Sequence, residues 1–234
     1  MAYLEGKNLV ASYGVVPILH ECSVEVEKGE LAVIVGPNGA GKSTVMRVLL
    51  GMLEATSGSV MFDGKDISML STQDRIKHGL AFVPQTKNVF PSMTVEENLQ
   101  MGGFIRQDDI NQTIEEVYAL FPILYEKRKQ LAEQLSGGQR QQVAFGRAMM
   151  TKPSIMLLDE PTAGVSPIVM DEIFSNILDV KNAGMAVLMV EQNAQQALNI
   201  ADKGYVLVSG RNEHTGTGKE LINNPEVRKK FLGG

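Results

Sequence analysis

A nine-residue turn constrains this chain more than any other stretch. Gly36-Pro37-Asn38-Gly39-Ala40-Gly41-Lys42-Ser43-Thr44 follows the apolar run Leu31 to Val35 and leads into Val45-Met-Arg-Val-Leu-Leu50. Gly36, Gly41, Lys42 and Ser43 have the spacing of a phosphate loop between a strand and a helix. Glycine lets the backbone curl until several N–H groups point at one anion, and the following helix adds its positive N-terminal end. Lys42 is placed to reach the β- and γ-phosphates of a nucleotide, and the Ser43 hydroxyl to ligate Mg²⁺. The expectation is therefore a nucleotide site carrying Mg²⁺.

The rest of the chain bounds the setting. Its 234 residues suffice for one large domain, or for a core with a subdomain. The net charge is −5 without a run of like charges, so the electrostatic footprint of a nucleic-acid binder is missing. A single cysteine, Cys22, excludes an internal disulfide and points to a reducing compartment; it reads as a small buried apolar side chain. The first residues, Met-Ala-Tyr-Leu-Glu-Gly-Lys, form no apolar signal region, and no apolar stretch nears the about 18 residues that span a bilayer. The chain is expected to be cytoplasmic, and to reach a membrane only through a partner.

Secondary structure follows from period and punctuation. Strands are predicted up to Val35, with Tyr13 and Gly14 in an early turn and Lys28-Gly29 in another. Ser59 to Lys65 reads as a strand entering a hairpin, and Gly79 to Pro84 as a short strand. From about 86 to 150 the texture turns helical. Thr94-x-x-Glu97 is a capping box, Asp109 to Phe121 has apolar residues at helical spacing and is stopped by Pro122, and Ser136-Gly137-Gly138 opens a long helix. Ile155 to Leu158 and Ala186 to Val190 are buried strands, Asp171 to Val180 and Ala194 to Ala201 helices, and Tyr205 to Ser209 an antiparallel strand. A short helical tail runs to Gly233-Gly234. Gly216-Thr-Gly-Lys219 mimics part of a phosphate loop but lacks its spacing and reads as a turn. Alternating strands and helices argue for a largely parallel sheet.

Two further stretches carry chemistry. Asp159 and Glu160 follow a buried strand, where adjacent carboxylates are costly without partners or a task. Beside a phosphate loop, Asp159 is placed to hold Mg²⁺ through water and Glu160 to polarise the attacking water. Leu135-Ser136-Gly137-Gly138-Gln139 repeats the anion-binding arrangement at a second helix N-terminus, although one nucleotide rarely needs two.

The phosphate loop, Leu135 to Gln139 and Asp159-Glu160, in that order, resemble the ATP-binding subunit of an ABC transporter over essentially the whole chain. The resemblance implies an α/β P-loop NTPase core with a mixed sheet, an antiparallel β subdomain and a helical subdomain, approximately 88–150, inserted in a single domain of residues 1–234. It implies a head-to-tail dimer with ATP and Mg²⁺ at the interface. Ser136, Gly137, Gly138 and Gln139 would serve the ATP held by the partner, Tyr13 would stack on adenine, and Gln85 would sense Mg²⁺ and the attacking water and begin the segment that meets the membrane subunits. Gln192 stands where the family places a switch histidine, and Ser166 where it usually places an aspartate. His20, His78 and His214 lie elsewhere and read as surface or structural residues.

Val190-Glu-Gln-Asn-Ala-Gln-Gln-Ala-Leu198, Ile200 to Val206, Thr94 to Gly103 and the terminal Phe231-Leu-Gly-Gly234 are similar to one of the two ATPases of branched-chain amino-acid importers. That branch implies a second ATPase subunit, two membrane permease subunits and, indirectly, a periplasmic binding protein, with this chain peripheral on the inner face of the membrane. The alternatives are a soluble ABC ATPase acting on a macromolecular assembly and the ATPase of an ABC exporter. A coiled-coil insertion and a second phosphate loop, which mark some soluble members, are both missing.

Overall fold

The computed structural model describes residues 2–232, so the predicted end of the tail at Gly233-Gly234 lies outside the described residues. Strands β1 (Leu4–Tyr13) and β2 (Val16–Val26) pair antiparallel across the turn at Gly14. Strand β3 (Leu31–Val35) is buried at every residue and runs into the phosphate loop, after which helix α1 (Lys42–Leu49) begins. The hairpin β4 (Ser57–Phe62) and β5 (Lys65–Asp66) forms as its Asp63-Gly64 turn predicts. Helix α2 (Thr72–Lys77), capped by Ser71, precedes strand β6 (Leu80–Val83).

Four α-helices and a short 3-10 turn (Ala132–Gln134) then intervene before the next strand. Helix α3 (Val95–Gly102) carries the capping box of Thr94 and Glu97, and α4 (Asn111–Leu120) follows the apolar spacing. Pro122 ends α4 but also opens a further helix, α5 (Pro122–Glu126), because its fixed φ suits the first turn. Ser136 and Gln139 form a second capping box at the start of α6 (Gly137–Met149). The chain returns to the sheet at β7 (Ile155–Asp159), continues through α7 (Pro167–Asn182), β8 (Ala186–Glu191) and α8 (Ala194–Ile200), and closes with β9 (Lys203–Val208) and β10 (Arg211–Gly216). The tail is two helices, α9 (Gly218–Asn223) and α10 (Pro225–Phe231).

Two expectations are corrected here. Strand β9 is antiparallel only to β10; on its other edge it pairs parallel with β3. Gly216 to Lys219 is not a free turn: Thr217 caps α9, its hydroxyl accepting from the Glu220 N–H while the Glu220 carboxylate accepts from the Thr217 N–H.

The strands form two sheets, one ordered β2-β1-β4-β5 and one ordered β10-β9-β3-β8-β7-β6. Side chains of β3 alternate between two cores. Leu31, Val33 and Val35 join the apolar cluster under the helices, and Ala32 and Ile34 join the one against the antiparallel sheet and α1. Burial on both faces is why the sequence shows an unbroken apolar run there. Strands β3, β8, β7 and β6 run parallel, so their C-terminal ends lie on one edge of the sheet. In open α/β sheets that edge is where ligands bind.

Candidate functional site

The residues at that edge come from four separate parts of the sequence. The phosphate loop leaves β3, Gln85 follows β6, Asp159 ends β7 with Glu160 next, and Gln192 follows β8. Side-chain contacts tie three of these parts together. The Ser43 hydroxyl donates to Asp159 Oδ1 at 3.2 Å, and Gln85 Nε2 donates to Glu160 Oε2 at 3.1 Å. Lys42 Nζ lies 4.0 Å from Glu160 Oε1 and donates to the carbonyls of Gly36 at 2.9 Å and Pro37 at 3.3 Å.

Close approaches require glycine at two points of the loop. Gly36 has φ 152°, and a Cβ there would stand 2.2 Å from the Leu207 carbonyl oxygen. At Gly41, with φ 101°, a Cβ would press on Leu19 at 2.9 Å. At Gly39 the space is open, so a ligand can approach the backbone. Lys42 is buried, yet its amine is held only by the Gly36 and Pro37 carbonyl oxygens and, at 4.0 Å, by the partly buried Glu160 carboxylate, which suits a group that must meet phosphate. Burial pushes the Asp159 carboxyl up, against the Ser43 hydrogen bond and the charges of Arg47 and Lys42. A hydroxyl and a carboxylate in contact are the hard oxygen donors that Mg²⁺ takes beside phosphates, so this pair fits that ion.

Glu160 is held in the left-handed region at φ 45°. Its N–H donates to the Val190 carbonyl at 3.0 Å, and its own carbonyl accepts from Ala163 N at 3.1 Å. Such a conformation costs energy in a non-glycine residue and is kept where the surroundings over-determine it.

Tyr13 ends β1 with its ring 42% exposed and its hydroxyl accepting from Arg47 Nη1 at 3.0 Å. Arg47 belongs to α1, so the tyrosine stands beside the helix that the phosphate loop opens. Gln192 is exposed and lines a surface cleft with Asn193, Gln196 and Phe231.

Ser136 to Gln139 are not part of this cluster. Among the described residues, no hydrogen bond joins them to the phosphate loop, Asp159 or Glu160. Ser136 Oγ accepts from Gln139 N at 3.2 Å, and Gln139 Oε1 accepts from Ser136 N at 3.1 Å. Among the described residues, the Ser136 hydroxyl proton and the N–H groups of Gly137 and Gly138 make no hydrogen bond and are open to an anion from outside the helix. Gly138 is packed so closely on α7 that a Cβ would meet the Glu172 carboxylate at 2.4 Å.

Two residues at the edge carry no sequence-derived role. Glu191, the last residue of β8, and Thr162 are both buried and bonded to one another. The signal for Glu191 is the one that flagged Asp159: an acid closing an apolar strand. Glu213, His214 and Glu226 also approach one another, but Lys230 already pairs with both carboxylates. A cavity of about 600 Å³ lies between α4 and the start of β7, and none of its lining residues belongs to the edge described above. A cradle made of backbone N–H groups needs no enclosed cavity, so the chemistry locates the site better than the cavity does.

Comparison with known proteins agrees with this geometry. Residues 19–163 match the family model described as ABC transporter. The chain is 45% identical to the high-affinity branched-chain amino acid transport ATP-binding protein BraG of Pseudomonas aeruginosa, across 95% of this chain and 96% of that one. It is 34% identical to the lipopolysaccharide export system ATP-binding protein LptB of Haemophilus influenzae, across 100% and 98%. The crystal structure of an ATP-binding cassette of an ABC transporter in its ADP conformation superposes with a TM-score of 0.90, at 31% identity and full coverage of both chains.

Proposed function

Since the chain belongs to the ABC transporter family and is an ATPase of that family, we propose that it energises import of branched-chain or related amino acids. The 45% identity to BraG over nearly all of both chains carries the choice of solute class. The resemblance to LptB leaves export as a second reading, because the direction of transport is set by the membrane subunits. The chain works with partners: a second ATPase subunit, like or unlike itself, two membrane permease subunits, and through them a periplasmic binding protein. Among the described residues no helix is long and apolar enough to cross a membrane. Attachment to the inner face then falls to surface side chains. Phe90, Met101, Phe104 and Ile105 expose an apolar set after Gln85, with Phe104 80% exposed, and this helical segment is our candidate for the contact with the permeases. We treat residues 1–234 as one domain and helices α3–α6 as its inserted subdomain.

The catalytic reading rests on the convergence of Gln85, Lys42 and Glu160. The backbone from Gly36 to Thr44 cradles the phosphates of ATP, and Lys42 turns its amine from the loop carbonyls to the β- and γ-phosphates. Tyr13 stacks on the base. Ser43 and Asp159 would hold Mg²⁺, with Gln85 beside it; the ion supplies neutralisation of charge on the phosphate oxygens when bound. Glu160 takes a proton from water as the water oxygen bonds to the γ-phosphorus and the bond to the β–γ bridging oxygen breaks. The Gln85 amide fixes the carboxylate for that step. Ser136, Gly137, Gly138 and Gln139 face the ATP of the adjoining subunit, which explains why they stand apart from the cluster in a single chain. Gln192 reaches the γ-phosphate as a neutral hydrogen-bonder.

Glu160→Gln tests this scheme. It removes the proton acceptor and keeps the shape, so ATP binding persists, the ATP-bound dimer is trapped, and turnover falls by roughly a hundredfold or more. Normal turnover in that variant would remove Glu160 as the base.

A further inference from the structure

Glu191 is a buried carboxylate that the hydrolytic scheme does not use; its exposure is 1%. One oxygen, Oε1, accepts from Thr162 N at 3.0 Å and from Thr162 Oγ1 at 2.8 Å. The other, Oε2, accepts from Gln192 N at 3.0 Å. Asn193 Nδ2 adds a bond to Thr162 Oγ1 at 3.3 Å. Burial pushes the Glu191 carboxyl up, and the hydrogen bonds from Thr162, Gln192 and Asn193 oppose it.

The position of this group matters more than its burial. Thr162 lies two residues after Glu160, and Gln192 directly follows Glu191. The strained Glu160 backbone is thus gripped by β8 twice, before by the Val190 carbonyl and after through Thr162. Three donors converge on two oxygens: two are backbone N–H groups, which can only donate, and the third is the Thr162 hydroxyl, whose acceptor side is taken by Asn193 Nδ2. Only a carboxylate supplies acceptors throughout. A glutamine would turn one NH₂ group onto a backbone N–H. A buried charge held this way costs desolvation, which a neutral core residue would avoid.

We propose that Glu191 is a positioning residue: a carboxylate clip that locks the backbones of Glu160 and Gln192 to one another, so that the water-activating group and the γ-phosphate contact keep one register. The proposal rests on the reading of Glu160 as the base. It differs from that reading in assigning the strained conformation of Glu160 to a group that touches neither nucleotide nor water.

The test is single-turnover hydrolysis of MgATP by the full chain, with ATP affinity and melting temperature measured on the same preparations. In Glu191→Gln the ATP dissociation constant stays within about twofold while the hydrolytic rate falls about tenfold or more, the size of effect that outer hydrogen-bond partners have at metal-dependent sites. In a Gln192→Ala background the further loss caused by Glu191→Gln is smaller, because part of what the clip holds has gone. A wild-type rate in Glu191→Gln overturns the proposal, and so does a parallel fall of affinity, melting temperature and rate, which marks a merely structural group. Glu160→Gln, run alongside, separates the two levels: if it turns over normally, the assignment of the base fails first. Should Glu191→Gln not fold, Thr162→Val removes the hydroxyl with its bonds to Glu191 and Asn193, keeps the backbone N–H bond, and must lose rate without losing affinity; an unchanged rate there is equally fatal.

Discussion

Asp159 shows how a single residue sets function against stability. Its carboxyl is raised by burial, and Ser43, Arg47 and Lys42 offset only part of that. A carboxyl whose folded value lies above its unfolded one binds its proton more readily in the folded chain. Its contribution to stability is therefore full below the unfolded value and is lost as pH rises through the raised one. Without ligand the chain at pH 8 bears this cost in full. Asp159→Asn should raise the melting temperature of the ligand-free chain at pH 8, by roughly 2–4 °C for each kcal/mol relieved. The difference should shrink as pH falls toward the ordinary carboxylate range, while hydrolysis is lost. A difference independent of pH in a thermal melt would show that the buried charge is not the cause. The same residue was legible in sequence, because an acid after an apolar strand is conspicuous. Glu191 has the same signature, yet its role depends on Thr162 lying across from it, which no spacing along the chain reveals.

At the scale of elements, local signals were the clearest. The capping boxes at Thr94 and Ser136 form as their side chains dictate, since both partners lie within one turn of helix. Pro122 shows the ambiguity of a local signal: it ends one helix and begins the next. The antiparallel expectation for β9 holds against β10 but misses its parallel pairing with β3, because a strand's own sequence does not say which neighbours it pairs with. Arg75, unnoticed in the sequence, proves to be a buried cap for α1. It donates to the Val48 and Leu49 carbonyls, both at 2.8 Å, to Leu70 O at 3.0 Å and to Ser68 O at 2.6 Å. These carbonyls lie at a helix C-terminus and in a loop, where a cation satisfies acceptors well, although Val48 O also accepts from Gly51 N at 3.0 Å. Arg75→Met should cost about 3 kcal/mol, because several buried acceptors lose a charged donor at once. A lower urea midpoint at unchanged slope would register it; an unshifted midpoint would show that water caps α1 equally well.

For the molecule as a whole, the decisive property is incompleteness. One edge of the parallel sheet gathers Lys42, Ser43, Gln85, Asp159 and Glu160, while Ser136 to Gln139 stand apart on α6. A chain built this way should hydrolyse ATP slowly by itself, the more so because, in the proposed scheme, Gln192 would offer the γ-phosphate only a neutral bond. Gln192→His should raise the steady-state rate of the purified chain. Rapid hydrolysis by the unmodified chain, with no gain in that variant, would sink the idea of an unequal pair of sites.

The sequence by itself determined the phosphate loop, the acids after β7, the helix caps and the family, because each is written in residues close together in the chain. Tertiary structure decided the rest. It brought four strand ends to one edge, since parallel pairing aligns strands that are distant in sequence, with Leu31 of β3 opposite Val187 of β8 and Leu80 of β6 opposite Ile155 of β7. It put Glu160 in a left-handed backbone and set Glu191 beneath it. A motif can announce the atoms of a reaction, but contacts between distant strands fix their geometry, and those contacts come from burying both faces of β3 and its neighbours at once.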